Sequence, residues 1–183
     1  TGAATSSEGS VYALHLGATD PGKDTITGWT INWGDGKVQT VAGNPTSVTH
    51  TYAEGPAVHT IRASAVDEDG TYEVAGPVVT ILNVAPTPAI VGAPLKGRES
   101  VPIVLSSLIV DPGSLDTFTY AWTVTKDGVG YASGNNAAFT FTPDDDGLYV
   151  ISLEVADDEG GVAQAASKSI TVSNVVPDRK SVG

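Results

Sequence analysis

Residues 8–22 read EGSVYALHLGATDPG, and residues 99–113 read ESVPIVLSSLIVDPG. Both stretches run from a glutamate to Asp-Pro-Gly with the same internal spacing. Glu8 and Glu99 lie 91 positions apart, as do Asp20 and Asp111. Further on, ILNVAPT answers ITVSNVVPD, with Asn83 and Asn174 again 91 apart, and Pro86 and Pro177 likewise. The acidic turn VDEDG answers ADDEGG, with Asp67 and Asp157 separated by 90. Several anchors agreeing at one period mark a duplicated domain, and the loops absorb the remaining slips.

Within each copy the periodicity is two. Tyr12, Leu14, Leu16 and Ala18 alternate with Val11, Ala13, His15 and Gly17, and Ile103, Leu105, Ser107 and Ile109 hold the same phase in the second copy. Trp29, Ile31 and Trp33 alternate, as do Phe118, Tyr120, Trp122 and Val124. So do Ile61, Ala63 and Ala65, matched by Tyr149, Ile151, Leu153 and Val155. Such alternation predicts half-buried strands with these residues facing inward. Gly, Pro, Asp and Asn interrupt it every 8–12 residues or so, the spacing of an antiparallel sandwich. No stretch carries helical periodicity. The expected fold is all-β, with two tandem antiparallel β-sandwiches of about seven strands each. The expected domains are residues 1–84 and 85–177, with the first strand of domain 1 truncated. Residues 178–183 read as a tail or the start of a further repeat of a longer array. A short, stiff linker is expected around Asn83–Pro88, because Pro86 and Pro88 fix φ and lack an N–H.

Composition narrows the chemistry. The chain has 183 residues, 21 acids against 9 Lys and Arg, a net charge of −12, and neither Cys nor Met. Without Cys there is no disulfide, thiol nucleophile or thiolate metal site. The acidic balance repels phosphate backbones and anionic lipid, so no nucleic-acid partner is expected. No apolar run approaches the roughly 18 residues of a membrane span, so no membrane insertion is expected. Hydrophobic content of 40% is enough for a packed core.

Repeat 1 carries ITGWTINWGDGKVQT, then VTHTYAEGPAVHTIRASAVDEDG, then VVTILNVAP. These segments resemble the polycystic-kidney-disease (PKD) domain, an immunoglobulin-like β-sandwich of secreted and surface proteins. Trp33-Gly34-Asp35-Gly36 matches the family's aromatic-GDG corner, His50 and Tyr52 its H-x-Y pair, and Asp67 and Gly70 its acidic turn. Repeat 2 departs further. Trp122 stands where repeat 1 has Ile31, the corner has decayed to Thr125-Lys126-Asp127-Gly128, and Phe139 and Phe141 replace His and Tyr. The segment at 146–161, DGLYVISLEVADDEGG, matches the family's last elements. The resemblance implies an extracellular or cell-surface bacterial protein whose neighbouring repeats contact one another. It implies a non-catalytic spacer or adhesion support, or alternatively an accessory module of an exoenzyme that contacts polysaccharide or protein.

The residues bear on three chemistries. For hydrolysis, the three His residues (His15, His50 and His59) have no counterparts in repeat 2, where Ser106, Phe139 and Tyr149 stand. There is also no G-x-S-x-G. No enzyme is expected. For sugar stacking, Trp29, Trp33, Trp122, Tyr120 and Tyr131 are available, but the tryptophans alternate in phase with the core.

For metal binding, carboxylates gather in turns at one end of each sandwich. They are Asp20, Asp24, Asp67 and Asp69 in repeat 1, and Asp111, Asp116 and Asp157 in repeat 2. Crowded carboxylates are unfavourable unless neutralised, and calcium takes six to eight hard oxygens. The family resemblance points to the same turns, although Gly22 and Gly113 replace its middle acid. Glu8 and a linker oxygen near Asn83 are expected to join Asp111 and Asp157 around a calcium ion at the domain junction.

Overall fold

The computed structural model describes residues 1–18 and 25–177. It divides into two compact units, Thr1–Val84 with Pro112–Asp116, and Ala85–Asp111 with the described residues from Thr117 onward. No helix occurs among the described residues, and none is long and apolar enough to cross a membrane.

Among its described residues unit 1 has seven strands: β1 (Thr5–Ser7), β2 (Val11–His15), β3 (Gly28–Asn32), β4 (Val38–Ala42), β5 (Ser47–Thr51), β6 (Ala57–Val66) and β7 (Thr71–Leu82). One sheet runs β1-β7-β6-β3-β4 and the other pairs β2 with β5. All the pairs are antiparallel except β1 with β7, where Thr5 sits opposite Thr80. The alternation predicted from sequence is what fills the gap between the sheets. Tyr12 and Leu14 from β2 meet Trp29 and Ile31 from β3, Trp33 just beyond it, and Ile61 from β6. The long β6–β7 pair slips register between Thr60 and Arg62. Gly76 passes there so close to β6 that an added Cβ would lie 2.6 Å from the Ile61 carbonyl oxygen, so only glycine fits.

Unit 2 contains β8 (Thr87–Val91), β9 (Lys96–Arg98), β10 (Ile103–Val110), β11 (Phe118–Lys126), β12 (Val129–Gly134), β13 (Ala138–Phe141), β14 (Gly147–Asp157), β15 (Val162–Gln164) and β16 (Lys168–Ser173). One sheet is β12-β11-β14-β16-β9, with β15 also on β14, and the other is β13-β10-β8. Trp122, Leu105, Tyr149 and Ile151 centre its core. The parallel pairing of β9 with β16, Lys96 opposite Thr171, repeats that of β1 with β7.

Two features differ from the sequence reading. Part of the expected linker is strand, because β8 starts at Thr87 and includes Pro88. Pro88 lies opposite Ile109, on an edge strand whose outer side needs no N–H donor. The decayed corner of repeat 2 is also an ordered turn. Lys126 pairs with Val129, and Asp127 and Gly128 take φ of 51° and 84°, the two-residue Asp-Gly hairpin that suits the strand twist.

Candidate metal centre

Each repeat opens with a glutamate, and its carboxylate grips the end of its own unit. Glu8 follows β1 and is fully buried. Its Oε1 accepts the Val84 N–H at 2.6 Å and its Oε2 the Gly55 N–H at 2.7 Å. Glu99 repeats half of this grip, its Oε1 accepting the Val175 N–H at 2.7 Å. Charge-assisted bonds of this length are the strong kind. The sequence marked both residues as repeat anchors but could not show that they hold backbone.

The acidic hairpin turns are self-capped. Asp67 is buried, and its Oδ1 accepts the N–H groups of Asp69 and Gly70, both at 2.9 Å. Asp69 contributes its backbone there, and its side chain is exposed. Asp157 is buried in the matching turn, where its Oδ1 accepts the Gly161 N–H at 2.7 Å. These bonds form Asx-type turns, the usual local use of Asp. The second acid of each turn had no assigned role in the sequence reading, and it reaches across to the neighbouring loop. Glu68 Oε2 accepts the Thr25 N–H at 3.1 Å, and Asp158 Oδ1 accepts the Thr117 N–H at 2.7 Å. The Thr117 donation holds the Asp158 carboxyl below the usual carboxylate range. The loop before the Trp-bearing strand and the acidic turn therefore lie at the same end in each unit.

Asp20 and Asp24 lie outside the described residues. Within unit 1, Glu8 and Asp116 bring carboxylate oxygens within 4.8 Å of each other, and so do Glu54 and Asp116. Glu54 was missed by sequence reasoning, since it is a lone acid beside Gly55-Pro56 outside the acidic turns. Its Oε1 is buried without a hydrogen-bond partner. Asn83 belongs to unit 1 and is half-buried. Asp111 belongs to unit 2, likewise half-buried.

At the GDG corner, two glycines with φ of 86° flank Asp35. At Gly34 an added Cβ would sit 2.9 Å from the Thr60 carbonyl oxygen, so the corner is reserved for glycine by both conformation and space. Asp35 Oδ1 accepts the Lys37 N–H at 3.0 Å, and its Oδ2 meets His50 Nε2 at 2.7 Å. His50 stacks on Trp33 with ring centroids 4.7 Å apart, and Tyr52 stacks on His59 at 4.8 Å. The Tyr52 hydroxyl donates to the Trp33 carbonyl. Two of the three histidines are thus structural partners of a packed aromatic corner, while His15 faces outward from β2. In repeat 2 the equivalent region uses Lys126. Its Nζ donates to Asp144 Oδ1 at 3.0 Å and lies over the Tyr149 ring, whose hydroxyl donates to the same oxygen at 2.9 Å.

Burial alone is the largest influence on the Asp35 carboxyl and pushes its pKa up. The His50 hydrogen bond, the Lys37 N–H and the His50 charge together outweigh it and hold Asp35 below its ordinary 3.8. A carboxyl depressed in the folded state stabilises that state above its unfolded pKa. The contribution fades as pH falls through the folded value. The advantage of the wild type over Asp35→Asn in urea midpoint should therefore be full above about pH 5 and shrink steadily below about pH 4. A constant difference from pH 6 to pH 2 would contradict this reading.

Several solved structures of tandem β-sandwich domains align with the chain. The fibronectin(III)-like modules of Clostridium thermocellum CbhA align over 98% of this chain and 94% of theirs, at 18% identity and a TM-score of 0.40. The N-terminal four Ig domains of Dscam1 isoform 9.44 align over 92% of this chain and 42% of theirs, at 14% identity and a TM-score of 0.50. Both units are immunoglobulin-like β-sandwich modules. The FN1–FN3 domains of chicken CNTN1 align over 92% of this chain and 64% of theirs, at 11% identity and a TM-score of 0.42. At such identities the likeness concerns the fold alone. No protein-family pattern matches the chain, and no curated protein matches it.

Proposed function

We propose that the chain is a pair of PKD-like spacer modules of a secreted or surface-bound bacterial protein, supporting adhesion and stabilised by calcium. The observation that carries the spacer reading over the polysaccharide-contacting one is the placement of the tryptophans. Trp29, Trp33 and Trp122 are all buried, and each indole N–H is already bonded, to Asn44, Gln39 and the Asn136 carbonyl respectively. Tyr120 and Tyr131 are half-buried against the core of unit 2. A sugar-binding platform needs exposed rings in a row, and Tyr72 is the one strongly exposed aromatic among the described residues. Retention of the chain on insoluble polysaccharide should be no greater than that of an unrelated acidic protein. Specific retention would favour the accessory-module reading.

For calcium, the donors in unit 1 fit. Glu8 and Asp116 offer hard carboxylate oxygens, and the buried Glu54 Oε1 lacks a hydrogen-bond partner. In unit 2, Asp111 and Asp157 offer donors of the same class, whereas no thiolate exists for a softer ion. A bound ion would neutralise the crowded charge and order the loops. An ion that binds only the folded chain raises its melting temperature. Millimolar calcium should raise the melting temperature above that in chelator and give a saturable calorimetric signal, with magnesium weaker. Absence of both effects would remove the metal from this reading and leave the spacer role standing.

A further inference from the structure

Two strand edges share one flank of unit 1. β4 ends the larger sheet and β5 ends the smaller, and no described strand lies beyond either. The flanking hydrogen bonds fix which backbone groups face outward. Across the β3–β4 ladder the Trp33 N–H donates to the Lys37 carbonyl and the Gly43 N–H to the Thr27 carbonyl. Bonded pairs alternate in an antiparallel ladder. Gln39 and Val41 therefore bond to β3, and Val38, Thr40 and Ala42 turn their N–H and C=O groups to the open edge. On the β2–β5 ladder the Leu16 N–H donates to the Thr46 carbonyl, so the outward groups of β5 belong to Ser47, Thr49 and Thr51. The side chains at these positions of both strands are exposed. Val38 and Gln39 border one groove with Thr49 and Thr51, and the loop of residues 43–46 joins the opposite ends of the two strands. The middle of β4, Thr40, thus lies over the middle of β5, Thr49. Folded chains usually blunt their edges. Here β1, β9 and β15 have three residues each, β8 carries Pro88, and β12 slips register between Val124 and Thr125 of its neighbour. β4 and β5 have five residues each, with no Pro, Gly, acid, Lys or Arg and no register slip.

We propose that this flank is where two copies of the chain pair, about a two-fold axis perpendicular to both sheets and passing through Thr40 and Thr49. Antiparallel pairing then sets Val38 against the partner's Ala42 and Thr40 against the partner's Thr40. In the second sheet Ser47 meets the partner's Thr51 and Thr49 meets the partner's Thr49. Each such pair exchanges both N–H···O bonds, because these are the residues whose backbone faces outward. Both sheets become continuous across the contact. A lone extended peptide satisfies one edge and leaves the other open, whereas a second copy satisfies both on a single axis. Charge favours the same occupant. Residues 36–53 contain no acid, and Lys37 is their one Lys or Arg, in a chain of net charge −12. Copies meeting here keep most of their acids apart. Two edges about 17 Å long and about 10 Å apart cover less than the roughly 800 Å² per partner of a standard interface. The dimer is accordingly a weak, reversible one, and it stands independently of calcium and of the spacer reading.

The test is analytical ultracentrifugation of the whole chain up to about 1 mM, the scale of a weak association. A monomer–dimer equilibrium is expected, strengthened by added salt, which screens the repulsion between acidic copies. Amide exchange should slow with concentration at Val38, Thr40, Ala42 and Thr49, while Gln39 and Val41, already bonded to β3, change least. Thr40→Pro and Thr49→Pro each remove an outward N–H from an edge strand, where proline is tolerated, and should weaken the dimer at least ten-fold. Thr40→Lys sets two like charges on the axis and should abolish it. Mixing Thr40→Lys chains with Thr40→Glu chains should restore it as a heterodimer, because opposite charges then meet across the pair. These two variants sit at an exposed position and keep the fold, so the test survives a proline variant that does not. Ser133→Lys, exposed on the edge strand β12 of unit 2, should leave the dimer unchanged. The proposal is overturned if the chain stays monomeric throughout that range. It is equally overturned if a dimer forms that Thr40→Lys does not weaken, or if mixing the Lys and Glu variants restores nothing.

Discussion

Trp33→Ala should destabilise unit 1 by about 4 kcal/mol, near the middle of the range for truncating a buried tryptophan. Trp33 is 1% exposed and packs edge-on against Tyr12 with centroids 6.3 Å apart, while its face is covered by His50. Its removal opens a cavity at the centre of the smaller sheet's contact with β3. It also takes the indole N–H from Gln39 and the stacking surface from the His50–Asp35 pair. A sandwich of this length has a total stability of roughly 5–12 kcal/mol. Such a loss therefore leaves unit 1 with roughly 1–8 kcal/mol and a melting temperature well below that of the wild type. Residue-resolved hydrogen exchange should show β3 and β6 losing protection while β11 and β14 keep theirs. Trp122→Ala should do the converse, since Trp122 is as deeply buried in its own core and stacks on Phe139. If either variant melted like the wild type, the two cores would not be organised around their tryptophans.

The pair of substitutions also shows why the fold was legible and parts of the site were not. Inward phase is a local property. Two-residue alternation around Trp33 and Trp122 placed both in the core, and the repeat then placed the whole domain twice. Proline was read less well. Pro86 and Pro88 suggested a linker, yet Pro88 is buried in an edge strand, where a missing N–H costs nothing. The corner at Lys126–Gly128 looked like decay because its motif letters had changed. The φ values of Asp127 and Gly128 show a different but well-formed turn. The acids were hardest. Asp67 and Asp157 were found by composition, but their bonds to turn amides are as much structural as ligating. Glu8 bonds to residues 47 and 76 positions away. No local pattern reveals such partners, and Glu54, a single acid outside the acidic turns, carried no signal.

Those distant partners make Glu8→Ala the sharpest test of what the repeated glutamate does. The substitution leaves the N–H groups of Gly55 and Val84 without their acceptor. Gly55 is buried and Val84 half-buried, so water replaces the bonds poorly. Each unsatisfied donor costs on the order of 1–3 kcal/mol, and the bonds lost are charge-assisted. A total near 4 kcal/mol is expected, a fall in melting temperature of roughly 20 °C for a unit this size. Glu8→Gln should recover only part of it, because the amide offers one acceptor oxygen and turns its NH2 toward the other donor. Glu99 holds a single backbone N–H from a half-buried position, so Glu99→Ala should cost about 1 kcal/mol in unit 2. This ordering separates the backbone grip from calcium binding. The grip predicts the loss in chelator, whereas a ligand role predicts an additional loss of the calcium-dependent rise. Equal effects of Glu8→Ala and Glu99→Ala in chelator would overturn the grip. A calcium-dependent rise preserved in Glu8→Ala would remove Glu8 from the ion's ligands.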